Sequence, residues 1–493
     1  MGVVFSLKDI AEATGGVLYN TPDETVTITG VSTDTRTIGA GEAFFALIGE
    51  NHDAHDHLEG ATEKGIALLV VNDKNRVPSD YTGAVLAVED TLAAYQALSA
   101  SYLKGFDPLV IAVTGSAGKT TLKDMIACIL SENIQTYFTQ GNLNNQIGLP
   151  RTVLETSKDV KALVLEMGLF GAGDIERLSD ICRPKIAAIT NIGVSHRENF
   201  DSDDGILNAK YEIAAFMGEG ETLVIDAGGN EKLKILAEEG SNKKGYKLIK
   251  VCNEGSFAEN DSDYIVSQVR VSEENAGVSL FEIRERSTGA ITPFCIPLPG
   301  AYSGISAAIA SAVSIQAGAL LGIEIKLEDA AEALSQVKRT PHRLDPIKKN
   351  GILVIDDTYN ASPDSAKAGL SYLKSVPAKK RIAILADMNE LGTMSDEMHE
   401  NVGEAAILEG VDIVFAYGTK AKRIEVGAKQ AIEKSSTFSE KRVFWFDAQN
   451  KDLLIERILN KLEEGDAVYI KGSRSMKMED VVMALTEEKN GNV

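Results

Sequence analysis

Cysteine is scarce. The 493 residues hold four, Cys128, Cys182, Cys252 and Cys295, and no two stand in a CxxC spacing. Neither a zinc knuckle nor a disulfide framework can be built from them, so they read as small apolar side chains in a reducing compartment. Positive charge is scarce as well. Fifty Lys and Arg face 72 Asp and Glu, a formal charge of −22. Nucleic acid is therefore set aside as a principal ligand, because its phosphates need Lys and Arg density; a phosphorylated small molecule needs only a local basic pocket. No run reads as the roughly 20 apolar residues of a membrane span. The start, MGVVFSLKDIAEATGG, lacks a basic segment followed by a long apolar one and is not a signal peptide. The expectation is a cytoplasmic protein without a membrane span, acting as a monomer.

The bulk composition, 44% hydrophobic and 25% charged, is that of a globular chain. The length suggests roughly two to four domains. Residues 1–84 mix short β-like runs (Thr25–Ile28, Ala43–Leu47, Ala67–Val71) with a helical stretch at Leu7–Thr14. Thr91–Leu103 reads as a helix leading to Pro108. Beyond it LVIAVTG, ALVLEMG and IAAITNIG are buried strands alternating with helical patterns, the signature of a parallel sheet covered by helices. YIVSQVRV and GVSLFEIR, within 264–296, predict an antiparallel excursion, followed by a small-residue helix over Gly304–Leu321. Five more strands, ILVIDD, RIAILADM, DIVFAYG, RVFWFD and AVYIKGS, predict a separate doubly wound unit, with a natural break at Pro341. The fold class is α/β in three domains: a small mixed unit (1–84), a central P-loop ATPase-type sheet (85–340) and a C-terminal Rossmann-like unit (341–493).

One motif carries chemistry by itself. TGSAGKTT, Thr114–Thr121, follows a strand and opens a helix. Gly115 and Gly118 let the backbone of Ser116 and Ala117 curl so that N–H groups converge on phosphate. Lys119 can reach the β- and γ-phosphates, the Thr120 hydroxyl can bind Mg2+, and Thr121 continues the helix whose dipole favours the anion. Mg2+ needs further hard ligands. Glu166, at the end of ALVLEMG, and His196, after IAAITNIG, would face the crevice at the carboxyl ends of the strands. Lys210, in AKYEI at the start of a helix, is on composition an ordinary surface lysine. His52, Asp53, His55, Asp56 and His57 form a histidine-rich loop rather than a metal site. Gly168–Gly173 lacks the GxGxxG spacing of a dinucleotide fingerprint.

The two-residue gap between Gly115 and Gly118 resembles the compressed loop of the Mur ligase and folylpolyglutamate synthetase superfamily, whose members make amide bonds through an acyl phosphate. GVSTDTR (30–36), GEAFFALIGENHDAHDH (41–57), GNLNNQIGLPRTVLE (141–155), DDTYNASPDS (356–365), ILADMNELG (384–392) and KGSRSMKME (471–479) extend the resemblance to Mur ligases over nearly the whole chain. The resemblance implies an ATP-dependent ligase joining UDP-N-acetylmuramoyl-tripeptide to D-alanyl-D-alanine. It implies two Mg2+ held by Thr120, Glu166, His196 and a carbamylated Lys210, with Lys119, His196 and Lys210 as the catalytic set. It also places Asn145, Arg343 and Asp357 at ATP, with Asp357 on the ribose and Arg343 on a phosphate. Ser32, Asp34 and Arg36 would lie at the uridine nucleotide, and Asn360, Ser362 and Pro363 at the dipeptide. The chain departs from the family at PGAYSGISAA, where Tyr302, Ser303 and Ser306 replace a His/Asn pattern near adenine. Two other readings are a sister ligase adding another amino acid or glutamate, and a nucleotide-dependent switch that ligates nothing.

Overall fold

The computed structural model describes residues 4–21, 26–49, 52–193, 197–200, 202–300 and 302–487. Its central sheet has nine strands. From one edge they run Thr136–Phe138, Ala162–Glu166, Leu109–Thr114, Ile186–Ile189, Thr222–Asp226, Lys247–Asn253, Tyr264–Val271, Ser279–Glu285 and Ile291–Ile296. All pairs are parallel up to Tyr264–Val271, and the last two strands add antiparallel. The inner strands are buried throughout and apolar except for Thr114 and Glu166 at their carboxyl ends, as in a sheet covered on both faces. Chain order reverses beside Leu109–Thr114: Ala162–Glu166 lies on one flank and Ile186–Ile189 on the other. Such a switch point opens a crevice at the carboxyl ends of the strands. The phosphate loop, Glu166, Asn191 and Asp226 all stand at that edge.

The helix Lys119–Ser131 starts on Gly118, whose φ of 78° is left-handed. It packs with Tyr302–Leu321 in one apolar cluster over the sheet. Tyr302–Leu321 is long and apolar enough by composition to cross a membrane, which corrects the sequence reading. Yet 72% of its apolar window is buried here, so it serves as the core helix of this unit. Lys210 lies in the last turn of the helix Asp203–Tyr211, capped at its other end by the Ser202 hydroxyl, and not at a helix start as its sequence context suggested.

The first unit has a five-stranded sheet, Val17–Tyr19, Ala84–Ala87, Leu68–Val71, Ala43–Phe45 and Val31–Ser32. The expected boundary at residue 84 thus falls inside a strand of this sheet. The C-terminal sheet has six strands, one more than the sequence reading found. Asp345–Lys349 is an antiparallel edge strand beside Ile352–Asp357; Ala467–Lys471, Arg381–Ala386, Ile413–Tyr417 and Arg442–Phe446 follow in parallel. The turn between Val271 and Ser279 fastens this unit to the central one. The Tyr372 hydroxyl donates across to the Ala276 carbonyl at 2.5 Å, and within the central unit Arg339 holds the turn by donating to the carbonyls of Gly277 and Pro297.

Candidate active site

Between the central and C-terminal units lies a cleft of about 420 Å3, and the phosphate loop forms its floor. Gly115 has φ +146°, and a Cβ there would sit 1.8 Å from the Thr190 hydroxyl. Only glycine fits that close approach. The loop is held from the neighbouring strand end. The amides of Ser116 and Ala117 donate to the Asn191 side-chain oxygen at 3.1 and 2.9 Å, and the Thr190 hydroxyl donates to the Ala117 carbonyl at 2.6 Å. The Lys119 ammonium folds back on the Gly115 carbonyl at 2.8 Å. Burial holds its pKa down, while Glu166 works in the opposite sense. Thr120 and Thr121 also face the cleft.

Buried polar atoms of Glu166, Lys210 and Arg343 near the loop have no partner among the described residues, and the first two are of ligand type. Glu166 accepts from the Asn144 amide with one oxygen at 2.8 Å; its other oxygen is orphaned. Lys210 is fully buried, and its Nζ is orphaned too. Burial first, and then the charge of Lys119, push its pKa well below the usual lysine value. An unpaired buried polar group is costly, so two at one edge mark a place built for something else. His196 lies outside the described residues.

Across the cleft, Arg343 donates to the Thr120 hydroxyl at 3.3 Å and stacks on Tyr359, its guanidinium 4.2 Å from the ring centroid. Asp357 lines the cleft but is already engaged. Lys471 and the Tyr469 hydroxyl donate to one oxygen at 2.5 and 2.9 Å, and the Leu344 amide donates to the other at 3.2 Å. Lys471 and Tyr469 were not picked out from sequence as parts of the site. Asn360 and Ser362 line the wall, where Ser362 caps the helix Pro363–Ser375 and Pro363 occupies its first position.

Some expected residues stand elsewhere. Asn144, rather than Asn145, faces Glu166 and the cleft; the Asn145 side-chain oxygen accepts from the amides of Ile147 and Gly148 and shapes a helix start. Ser32, Asp34 and Arg36 belong to the first unit, away from the cleft lining. There Asp34 accepts three hydrogen bonds from the Arg36 guanidinium, which hold its carboxyl down to about 2. In the histidine-rich loop, Arg76 bridges Asp53 and Asp56 and His55 pairs with Asp53, so those carboxylates are engaged by side chains. Tyr302, Ser303 and Ser306 do line the cleft, beside Asp226 at the end of Thr222–Asp226.

A phosphate loop at a switch point, orphaned ligand-type atoms beside it and a second domain closing over them suit phosphoryl transfer to a substrate held between domains. Known proteins agree. The Mur ligase middle domain matches residues 113–314, and the Mur ligase, glutamate ligase domain matches residues 342–474. The UDP-N-acetylmuramoyl-tripeptide–D-alanyl-D-alanine ligase of Bacillus subtilis (strain 168) is 36% identical over 487 residues, 98% of either chain. That of Escherichia coli (strain K12) is 34% identical over 466 residues, 94% of either chain. A crystal structure of MurF from Acinetobacter baumannii superposes with a TM-score of 0.85 at 28% identity, covering 99% of both chains. MurF from Thermotoga maritima, solved in complex with ADP, gives 0.77 at 25% identity over 93% of this chain and 97% of that one. This chain belongs to the Mur ligase family and is an ATP-dependent enzyme of the ligase class.

Proposed function

We propose that the enzyme joins D-alanyl-D-alanine to UDP-N-acetylmuramoyl-tripeptide, with ATP cleaved to ADP and phosphate, in the assembly of peptidoglycan precursors. The observation that carries this reading is full-length similarity to relatives named for that reaction, together with a cleft whose two walls come from the two matched domains. The residues would divide the work by unit. Residues 1–84, with the strand Ala84–Ala87 that completes their sheet, would take the uridine nucleotide through Ser32, Asp34 and Arg36. Residues 85–340 would take ATP. Residues 341–493 would present the dipeptide pocket at Asn360, Ser362 and Pro363.

A carboxylate is a poor electrophile. Moving the γ-phosphoryl group onto the tripeptide carboxylate gives an acyl phosphate and ADP; the dipeptide amine then attacks the carbonyl carbon, and phosphate leaves. The protein's part is positioning and charge neutralisation. Loop amides and Lys119 would hold the phosphates, and Arg343, from the opposite wall, would neutralise charge on the transferring group. Asp357, fixed by Lys471 and Tyr469, would orient the ribose side.

The orphaned Glu166 oxygen and Lys210 amine support a Mg2+ site that Thr120 and, by the resemblance, His196 would complete. When bound, a divalent cation supplies charge screening between the two anions that must meet. An ammonium at position 210 would oppose that, but a buried amine held neutral is the form that reacts with CO2: R–NH2 plus CO2 gives R–NHCO2− and a proton. The carbamate carries two hard oxygens. An acceptor screen tests the whole reading. D-alanyl-D-alanine should drive ATP cleavage at least tenfold better than L-lysine, diaminopimelate or D-glutamate; preference for a single amino acid would move the enzyme to a sister ligase.

A further inference from the structure

The strand order divides the cleft into two ends. The strand Leu109–Thr114, which feeds the phosphate loop, has Glu166 on the strand at one flank, and Ile186–Ile189 and then Thr222–Asp226 on the other. Neighbouring strands lie about 4.8 Å apart, so Asp226 stands roughly 10 Å to the side away from Glu166. A triphosphate held on the loop with its reacting end toward Lys119 and Glu166 therefore runs its nucleoside toward Asp226.

That end of the cleft has a distinct lining. Leu298, Pro299 and Ile305 are apolar, and Tyr302 offers a phenol ring that is 59% exposed. Tyr302 lines the same cleft as Asp226 of the central unit and Asp364 of the C-terminal wall. Asp226 supplies the carboxylate of this lining, and Ser306 a hydroxyl. Asp226 accepts from the Gly229 amide at 3.0 Å and also from the Gly228 amide. Burial pushes the carboxyl up to about 6, so it is ionised at neutral pH yet poorly solvated. A carboxylate offers about four lone-pair sites, so Asp226, with two backbone amides bound, can still accept a further N–H from the cleft.

Resting on ATP as the substrate of this cleft, we propose that Asp226 reads the base by accepting a hydrogen bond from the exocyclic amino group of adenine, with the ring lying on Tyr302. A 6-oxo purine would set an acceptor against the carboxylate and be rejected; a purine without a 6-substituent would leave the carboxylate unanswered. Asp226 and Tyr302 thus become the specificity residues for the nucleotide in a chain that lacks the family's His/Asn pattern.

The test compares ATP with purine riboside 5′-triphosphate, which differs by the amino group alone, at saturating tripeptide and dipeptide. The ratio of the two kcat/KM values cancels any loss of active enzyme. The wild type should favour ATP about 10- to 100-fold, the range for a hydrogen bond to a charged group. Asp226→Ala should bring the ratio near one by lowering ATP use alone. Asp226→Asn, which keeps an oxygen for Gly229 and so guards against a folding failure, should lower the ratio about fivefold. Tyr302→Leu should weaken both nucleotides by the same factor. Equal use of the two nucleotides by the wild type, or an unchanged ratio in both Asp226 variants, overturns the proposal. Calorimetric titration with ADP and purine riboside diphosphate reads the same ratio without turnover, so a failed ligase reading and a failed base reading give separate results.

Discussion

Replacing Lys210 by methionine should make the protein more stable and nearly inactive. The side chain is fully buried at the end of the helix Asp203–Tyr211, and its amine has no partner among the described residues. A neutral polar group buried without a hydrogen bond costs about 1–3 kcal/mol, and methionine fills similar space without that cost. For a unit the size of the central domain, each kcal/mol shifts the melting temperature by about 2–4 °C. The gain should depend on pH. Lys210 has a folded-state pKa well below its ordinary 10.5, so between the folded value and 10.5 the unfolded chain binds a proton that the folded chain does not. Wild-type stability therefore rises with pH through that window, and the advantage of the methionine variant shrinks as pH approaches 10.5. Thermal melts of both proteins, without Mg2+ or bicarbonate at pH 7 and pH 10, measure this directly. Ligation should fall by about 10²-fold or more, the scale for losing one preorganised charge at a reacting centre. In Lys210→Ala, a small added carboxylic acid should restore part of the activity by filling the anion's place. A Lys210→Met protein that melts lower and ligates normally would refute the reading of Lys210 as an amine kept for carbamylation.

Lys119→Ala should cut turnover by at least about 10³-fold with an unchanged melting temperature, because the ammonium meets the loop and the phosphates rather than the core; near-normal ligation by the folded variant would remove the phosphate-loop assignment. Gly115→Ala combines a φ of +146° with a Cβ 1.8 Å from Thr190, so ADP affinity measured by calorimetry should drop at least tenfold. For Asp226 the folded pKa of about 6 exceeds the unfolded value of 3.8, so the folded state binds the extra proton between them and loses stability as pH rises through that window. Asp226→Asn should consequently stabilise the apoprotein by about 1–3 kcal/mol above pH 6 and by nothing near pH 3, read from denaturation at the two pH values.

The parallel strands could be read from sequence because burial on both faces leaves uninterrupted apolar runs, as in LVIAVT and ILVIDD. Edge strands could not. DPIKK at Asp345–Lys349 pairs on one side only and carries the charges an exposed edge tolerates, so its pattern resembles a loop. The phosphate loop is local and declared itself. Asn144 and Asn145 are neighbours of the same type, and spacing cannot say which one turns toward Glu166. Lys471 meets Asp357 from 114 residues away, a contact made only when two parallel strands pair. Asp226 ends a strand with no motif around it, and it becomes visible only as part of the cleft wall. Lys210 reads as a surface lysine because charge in a helix usually faces water; its burial is a tertiary fact.

The most direct test of the central claim follows oxygen. UDP-N-acetylmuramoyl-tripeptide labelled with 18O in the reacting carboxylate, whether its third residue is lysine or diaminopimelate, is turned over with ATP, Mg2+ and D-alanyl-D-alanine, and the released phosphate is analysed by mass spectrometry. An acyl phosphate formed in this cleft requires that each phosphate carry one 18O from the carboxylate, with ADP release dependent on the tripeptide and amide formation on the dipeptide. Unlabelled phosphate, with ADP released at the same rate when the tripeptide is left out, would show that the cleft hydrolyses ATP without activating the carboxylate.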